Sequence, residues 1–328
     1  MAKVTSKSKP AQQSVNTRPE SVKNTVPDEE PIGRYINPLT DFGFKYIFGN
    51  KEFLIDFLNA VLKIEGGIVD LYYDNTERPG RSEDDRTTIF DLYCTLKNGE
   101  RIIIEMQHYR HDNFVERTLY YATRLIQEQG EDKKGDTNWK FELKPVYSVN
   151  IVNFTLDTDK KKRKKTGKYI SYAHIIDDDT HKMICDKLTF VYLELPYFTK
   201  EVHELTNYID WWMYVLKNLA QLNHLPDALR NRIFERLFLK AEIAKLSKKD
   251  RKEYDRSLKK LRDMNIIVAD RDGKIASLQQ TNTSLQQTNT SLQQTNTSLQ
   301  QTNTSLQQDN AAKDRRIAEL ERKLGLKA

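Results

Sequence analysis

Two carboxylates in neighbouring predicted strands are the residues best placed to do chemistry in this sequence. Asp91 lies on one strand of a predicted hairpin and Glu105 on the other. A two-residue turn would place Asp91 opposite Met106. A three-residue loop with Gly99 in the left-handed region would place it opposite Glu105. The two turns therefore predict different neighbours for the Asp91 carboxylate.

The alternation of side chains along the hairpin favours the three-residue loop. In that register one face is almost wholly apolar and carries Phe90, Leu92, Cys94, Leu96, Ile102, Ile104 and Met106. The other face carries Asp91, Tyr93, Thr95, Arg101, Glu105 and Gln107. A slip of one residue would set core residues of one strand beside polar residues of the other. We therefore expect Asp91 to face Glu105, with Cβ atoms roughly 5 Å apart.

Opposed carboxylates repel each other unless a cation offsets the repulsion. Mg²⁺ suits this position because it binds carboxylate oxygens and keeps several waters. A metal held there could activate a water and stabilise the charge that develops on a phosphodiester. Gln107 points to the same side as Glu105 and could orient the attacking water. A solvated strand face with two incidental carboxylates would show the same spacing, so the spacing alone leaves both interpretations open.

Asp91 followed by Glu105-Met106-Gln107 resembles the signature of the PD-(D/E)XK nucleases, in the variant where Gln replaces the usual Lys. Two further blocks, TDFGFKYIFG at residues 40–49 and ERTLYYA at residues 116–122, resemble the transposase-associated branch, also called recombination-promoting nucleases. The similarity is good over residues 36–129 and looser to residue 246. The chain departs from the pattern in having no Pro before the Asp.

This resemblance implies a restriction-endonuclease-like α/β fold, in which helices flank a mixed sheet. It also implies metal-dependent cleavage of DNA, linked to recombination or transposition. Asp91 and Glu105 would bind Mg²⁺, with Mn²⁺ as a possible substitute, and Gln107 would stand in the place of the family lysine. An acidic residue of the first helix would assist the metal; Asp41 fits by its position in the motif, and Glu52 is a second candidate.

A neutral Gln cannot supply positive charge near a phosphate, so other cations are needed. Arg117, on the helix after the hairpin, is the nearest candidate, although it could instead form a surface ion pair with Glu116 or Asp112. His108 and His111 follow the second strand and lie either at the mouth of the site or simply on the surface.

A dense basic segment, KKKRKKTGK at residues 160–168, connects two predicted strands. It predicts a loop that contacts DNA phosphates without sequence specificity. The residues expected to make these contacts are Lys161, Lys162, Arg163, Lys164 and Lys165. A solubilising loop and a nuclear localisation signal are the alternatives.

The elements that would position these residues follow from hydrophobic periodicity. Apolar residues recur at helical spacing over residues 41–63, with a break at Gly49-Asn50, and again over 114–129. Strands are predicted at 68–73, 88–96, 101–107, 146–154, 169–176 and 188–195, and the chain is helical from residue 204. This order predicts an α/β domain with a sheet of mixed direction over residues 35–250.

The C-terminal part has a different character. SLQQTNT occurs four times in tandem over residues 277–304, so that leucines recur every seven residues from Leu278 to Leu306. The same heptad frame extends from Leu261 before the repeat to Leu324 after it. Residues 251–328 are therefore predicted to form a parallel coiled coil that joins two copies of the chain. A disordered Gln/Asn/Thr tract is the alternative, because Thr and Asn are poor helix formers.

Composition narrows the class of protein. The 328 residues carry a formal net charge of +6 and only 38% are hydrophobic, and residues 1–34 are predicted to be a disordered arm. Cys94 and Cys185 are too few for a disulfide framework or a cysteine-based zinc site and suit a reducing cytoplasm. We expect no membrane span. Two rival interpretations remain: a catalytically inactive DNA-binding relative, and a scaffold whose coiled coil is the functional part.

Overall fold

A computed structural model of the chain describes residues 33–78, 88–156 and 167–325. The helices are α1 (Asp41–Phe48), α2 (Lys51–Val61), α3 (Phe114–Glu131), α4 (Tyr208–Asn218), α5 (Arg232–Ala241) and α6 (Lys248–Lys323). The strands are β1 (Leu71–Tyr73), β2 (Glu77–Arg78), β3 (Thr88–Ile89), β4 (Leu92–Leu96), β5 (Arg101–Gln107), β6 (Val146–Val152), β7 (Ile170–Ile176) and β8 (Met183–Glu194). The predicted arm lies almost entirely outside the described residues, and the basic residues 161–165 lie wholly outside them.

A six-stranded sheet of mixed direction forms the centre of the domain. Its strand order is β1-β4-β5-β6-β8-β7. The central strands β5, β6 and β8 run parallel, while β1, β4 and β7 pair antiparallel with their neighbours. This arrangement confirms the predicted mixed α/β sheet and is consistent with a restriction-endonuclease-like fold.

The β4–β5 hairpin adopts the three-residue loop. Leu92 pairs with Ile104 and Thr95 with Arg101. The Leu96 amide donates to the Glu100 carbonyl at 2.8 Å, which closes the loop. Gly99 has φ +87°, in the left-handed region that residues other than glycine rarely adopt. The register chosen from side-chain alternation is therefore confirmed.

Phe90 does not lie on the face predicted for it. The sequence pattern grouped Phe90 with Leu92, but its ring packs on the opposite side of the sheet, 5.7 Å from Tyr93 and 5.5 Å from Tyr121 between ring centroids. The strand is interrupted at residues 90 and 91, between β3 and β4. Because alternation holds only within a continuous strand, the prediction for Phe90 was wrong while those for Leu92 onward held.

The first two helices pack on one face of the sheet and form the larger core. The Thr40 side chain caps α1 by accepting from the Gly43 amide, and Asn50 caps α2 by accepting from the Glu52 amide at 3.0 Å. This second cap explains the predicted break between the helices. Trp212 of α4 is fully buried in this core and donates from Nε1 to Asp56 at 2.8 Å.

Helix α3 covers the opposite face of the sheet. Its residues Ala122 and Leu125 are fully buried and pack against Tyr93 and Ile103 of the hairpin. The same helix begins at Phe114, soon after β5 ends at Gln107, so its first turn lies close to the end of that strand. This placement brings Arg117, near the start of α3, into contact with Gln107 at the end of β5.

Helix α6 is continuous over 76 residues, and its first turns pack against the domain. Tyr254 is 2% exposed, and its hydroxyl accepts from the Asn37 amide at 3.0 Å. The sequence-based boundary at residue 250 therefore falls within this continuous helix. Further along, the heptad residues from Ile275 to Leu324 are 45–70% exposed in the single chain. Because residues 277–304 lie within this continuous helix, the repeat is helical and not an irregular tract. Among the described residues, no helix is long and apolar enough to span a bilayer.

Candidate active site

Asp91 and Glu105 form a reciprocal pair at the end of the hairpin. The Met106 amide donates to Asp91 Oδ2 at 2.8 Å, and the Asp91 amide donates to Glu105 Oε1 at 3.3 Å. Asp91 is half-buried and Glu105 is 7% exposed. The hairpin register therefore brings the two predicted carboxylates together, each anchored by the backbone of the opposite strand.

The environment of this pair opposes the negative charge on both carboxyl groups. Burial raises the pKa of Glu105 to about 8, and the neighbouring charge of Asp91 adds to the rise. The pKa of Asp91 is also raised, mainly by burial, although the hydrogen bond from Met106 counteracts this. Lys45 and Arg117 favour the charged forms of both groups but do not offset the burial.

The pair has the chemistry of a divalent-cation site. One oxygen of each carboxylate accepts a hydrogen bond from a backbone amide. No residue in the described ranges donates to the other oxygens, Asp91 Oδ1 and Glu105 Oε2. These two carboxylates are hard oxygen donors, and their negative charge is unfavourable without a counter-ion. Mg²⁺ fits such a site because it binds carboxylate oxygens, retains several waters and therefore needs few protein ligands. Within the described parts of the chain, no group of three or more His, Cys, Asp or Glu side chains is close enough to hold a metal.

Gln107 and Arg117 are joined beside the carboxylate pair. Arg117 Nη2 donates to Gln107 Oε1 at 2.6 Å, and the guanidinium lies over the rings of Phe114 and Tyr121. The alternative ion pairs with Glu116 or Asp112 are absent from the contacts that Arg117 makes in the described structure. Because the amide oxygen accepts from Arg117, the Gln107 Nε2 group is left as a donor toward other partners.

The two acidic candidates of the first helices occupy different places. Asp41 lines the same cleft as Asp91, but it is exposed and forms an ion pair with Lys45 at 2.7 Å. Its charge contributes to the raised pKa of Asp91. Glu52 lines another cleft and pairs with Arg236 of α5. The structure thus brings Asp41, but not Glu52, toward the carboxylate pair.

The cleft at this site has a volume of about 270 Å³, and α6 forms one of its walls. The Tyr109 hydroxyl oxygen lies 2.8 Å from both the Leu261 carbonyl oxygen and Asn265 Oδ1, so its single proton can be donated to either of these two α6 acceptors. His108 also lies in the cleft wall, with Nε2 3.3 Å from Asn265 Oδ1, and burial lowers its pKa. His111 lines the same cleft and is exposed.

Sequence reasoning missed this contribution of α6. The heptad frame assigned Leu261 to a coiled-coil seam, but its backbone and side chain border the cleft instead. An available signal was the aromatic residue Tyr254, one heptad before Leu261, which the structure shows to be buried against the domain. This contact joins residues 152 positions apart in the sequence, Tyr109 and Leu261. Residues so widely separated along the chain produce no periodic pattern from which their contact could be predicted.

The basic residues predicted to bind DNA, Lys161, Lys162, Arg163, Lys164 and Lys165, lie outside the described residues, so their contacts stay a prediction. Comparison with curated proteins and with solved structures finds no match. A family model described as PD-(D/E)XK nuclease family transposase matches residues 38–271, a range that includes the carboxylate pair, Gln107, Arg117 and the docked turns of α6. The chain therefore belongs to the PD-(D/E)XK nuclease family transposases.

Proposed function

We propose that the protein is a metal-dependent DNA endonuclease that hydrolyses phosphodiester bonds and acts in DNA recombination or transposition. The family supports nuclease-type function and DNA as the substrate. The observation that carries the proposal is the pair of Asp91 and Glu105, which are anchored to each other's strands and have raised pKa values. A fold that needed these positions only for stability would gain by replacing one carboxylate with a neutral residue.

In this proposal Asp91 and Glu105 would hold Mg²⁺, or Mn²⁺ in its place. The bound metal would supply Lewis-acid stabilisation of the phosphate and would lower the pKa of water. Gln107 orients the attacking water through Nε2, and Arg117 fixes the amide by binding its oxygen. Arg117 also brings positive charge toward the phosphate. Asp41 assists at the edge of the cleft, where Lys45 holds it.

We further propose that the chain works as a homodimer, paired through a parallel coiled coil in the repeat region of α6. The exposed heptad leucines favour pairing, because a stripe of apolar side chains on a solvated helix is stabilised by a partner. One site cuts one strand, so two joined copies would suit a double-strand break. The basic residues 161–165 would add non-specific phosphate contacts, and the free cysteines suit a cytoplasmic location.

An inactive DNA-binding or scaffold protein is the alternative, and its motivating observation is the missing lysine at Gln107. The deciding experiment is to incubate the purified full chain with supercoiled plasmid in Mg²⁺, Mn²⁺, Ca²⁺ or EDTA. We expect nicked and linear products with Mg²⁺ and Mn²⁺ and none with EDTA.

Variants make the assignment specific to the site. Asp91→Asn should abolish cleavage while DNA binding persists. Asp178→Asn is the matched control, because Asp178 is exposed on the turn after β7, and it should cleave as the unchanged chain does. Intact plasmid under every metal would favour the inactive alternative. Equal cleavage by the unchanged chain and by Asp91→Asn would show that the active site lies elsewhere.

A further inference from the structure

The positive charges nearest to the carboxylate pair are already engaged by protein groups. Lys45 pairs with Asp41 at 2.7 Å, and Arg117 donates to Gln107 at 2.6 Å. A DNA strand lying in the cleft carries one negative charge per phosphate, on both sides of the bond to be cut. Asp41 offsets the charge of Lys45, whereas the neutral Gln107 leaves that of Arg117 in place, so an unpaired cation on the cleft wall would add to the positive charge that meets these phosphates.

Helix α6 presents one side to this cleft, and its hydrogen bonds fix which side it is. The Phe42 amide donates to Ser257 Oγ at 3.1 Å, and Tyr109 binds Leu261 and Asn265 further along the helix. The α6 residues that line the cleft are Ser257, Lys260, Leu261 and Met264. Their spacing of three, four and seven residues is that of a single helix face.

Lys260 is the cation on this face. It is exposed, and no carboxylate in the described ranges lies within ion-pair distance of its ammonium group. The docked turns of α6 place Lys260 on the wall of the cleft that Asp41 and Asp91 also line.

We propose that Lys260 contacts a backbone phosphate of the DNA strand bound in the active-site cleft. The inference rests on the proposed function, because it takes DNA as the substrate. It makes the first turns of α6 part of the nuclease site rather than only a connection to the repeat. Since one ammonium group contacts a phosphate as a point charge, Lys260 contributes affinity without sequence specificity.

Lys259 provides a matched control on the same helix. It is also exposed, but it does not line the cleft and lies about 100° around the helix from Lys260. Lys260→Met and Lys259→Met remove the same charge and keep a good helix former at each position. Both variants should therefore unfold at the same temperature as the unchanged chain, so that differences in DNA binding report on contact alone.

The test measures binding of a short DNA duplex at several salt concentrations, with Asp91→Asn present in every chain to prevent cleavage. Lys260→Met should reduce the slope of log affinity against log salt by about 0.9, the value for one lost phosphate contact. Lys259→Met should leave the slope close to that of Asp91→Asn alone, and Lys260→Arg should restore most of it. Equal slopes for Lys260→Met and Lys259→Met would overturn the proposal.

Cleavage by the chains with Asp91 intact separates this inference from the proposed function. At low DNA concentration Lys260→Met should cleave several-fold more slowly than Lys259→Met, and saturating DNA should recover part of the loss. If the unchanged chain fails to cleave with any metal, the proposed nuclease activity is wrong, while the salt slopes still decide whether Lys260 contacts DNA. If the chain cleaves and the slopes are equal, only the inference about Lys260 fails.

Discussion

Replacing Asp91 with Asn should stabilise the fold in metal-free buffer while it removes the proposed activity. Asn is nearly the same size as Asp, and its Oδ1 can accept the hydrogen bond that the Met106 amide donates to Asp91. The substitution therefore removes a negative charge beside Glu105 and keeps the backbone contact. Without a metal, the charge of Asp91 opposes that of Glu105, so the free energy of unfolding should rise.

The pKa of Glu105 sets the size of this effect. A rise from the ordinary value of 4.5 to about 8 corresponds to about 5 kcal/mol between the charged and neutral forms, at 1.36 kcal/mol per pKa unit. Burial is the larger cause and the charge of Asp91 is the second. Opposed charges on neighbouring strands change stability by on the order of 1 kcal/mol, so removing the charge of Asp91 predicts an increase in Tm of about 2–4 °C.

The sign of the pH dependence follows from proton linkage. The folded protein holds the Glu105 proton more tightly than the unfolded chain does, so the stabilisation is complete below pH 4.5 and is lost as the pH rises to about 8. At pH 5 Glu105 is protonated, so the pair holds at most one negative charge, and Asp91→Asn should change the Tm only slightly. At pH 8.5 Glu105 is mostly charged in the unchanged chain, and the gain should approach its full size.

Thermal unfolding in EDTA at pH 5 and pH 8.5 is the assay, with Asp178→Asn as the control for loss of an exposed carboxylate. We expect the gain to be confined to Asp91→Asn and to pH 8.5, and added Mg²⁺ should reverse the order by stabilising the unchanged chain. An equal Tm for the two variants at pH 8.5 would refute the assignment of repulsion to this pair. An equal gain at both pH values would show that charge is not the cause.

Three further predictions concern other parts of the chain. Replacing the basic residues 161–165 with Ser should weaken binding to all DNA sequences alike and flatten its salt dependence by nearly one unit of slope per lost contact; an unchanged slope would show that this segment does not touch DNA. A chain ending at residue 274 should sediment as a monomer with a folded domain, whereas deletion of one SLQQTNT copy should leave a dimer whose coiled coil is about 10 Å shorter; a monomeric full-length chain at micromolar concentration would contradict pairing. Trp212→Ala should lower the free energy of unfolding by about 3–5 kcal/mol in a urea titration, because Trp212 is fully buried, while Val69→Ala, at a position 83% exposed, should have little effect.

Local patterns in the sequence were enough to predict the hairpin and the proximity of Asp91 and Glu105. Side-chain alternation selected the register that sets Asp91 against Glu105, because a slip of one residue would have exposed a whole apolar face. The break at Gly49-Asn50 and the bounds of β5 also followed from local signals, namely a capping residue and a continuous β-branched run. These features depend on residues close together along the chain, so the sequence determines them directly.

The tertiary structure alone decided which distant groups meet at the site. It joined Arg117 to Gln107 and brought Lys260 of α6 to the cleft beside Asp91, although about 170 residues separate the last two. It also turned Phe90 to the opposite face, because the strand is interrupted before Leu92. Contacts of this kind depend on how whole helices and strands pack on the sheet. The periodicity of apolar residues shows which face of an element is buried, but it does not show which distant element covers that face. The same limit applies to pKa values, since the burial that raises that of Glu105 exists only after the elements have assembled.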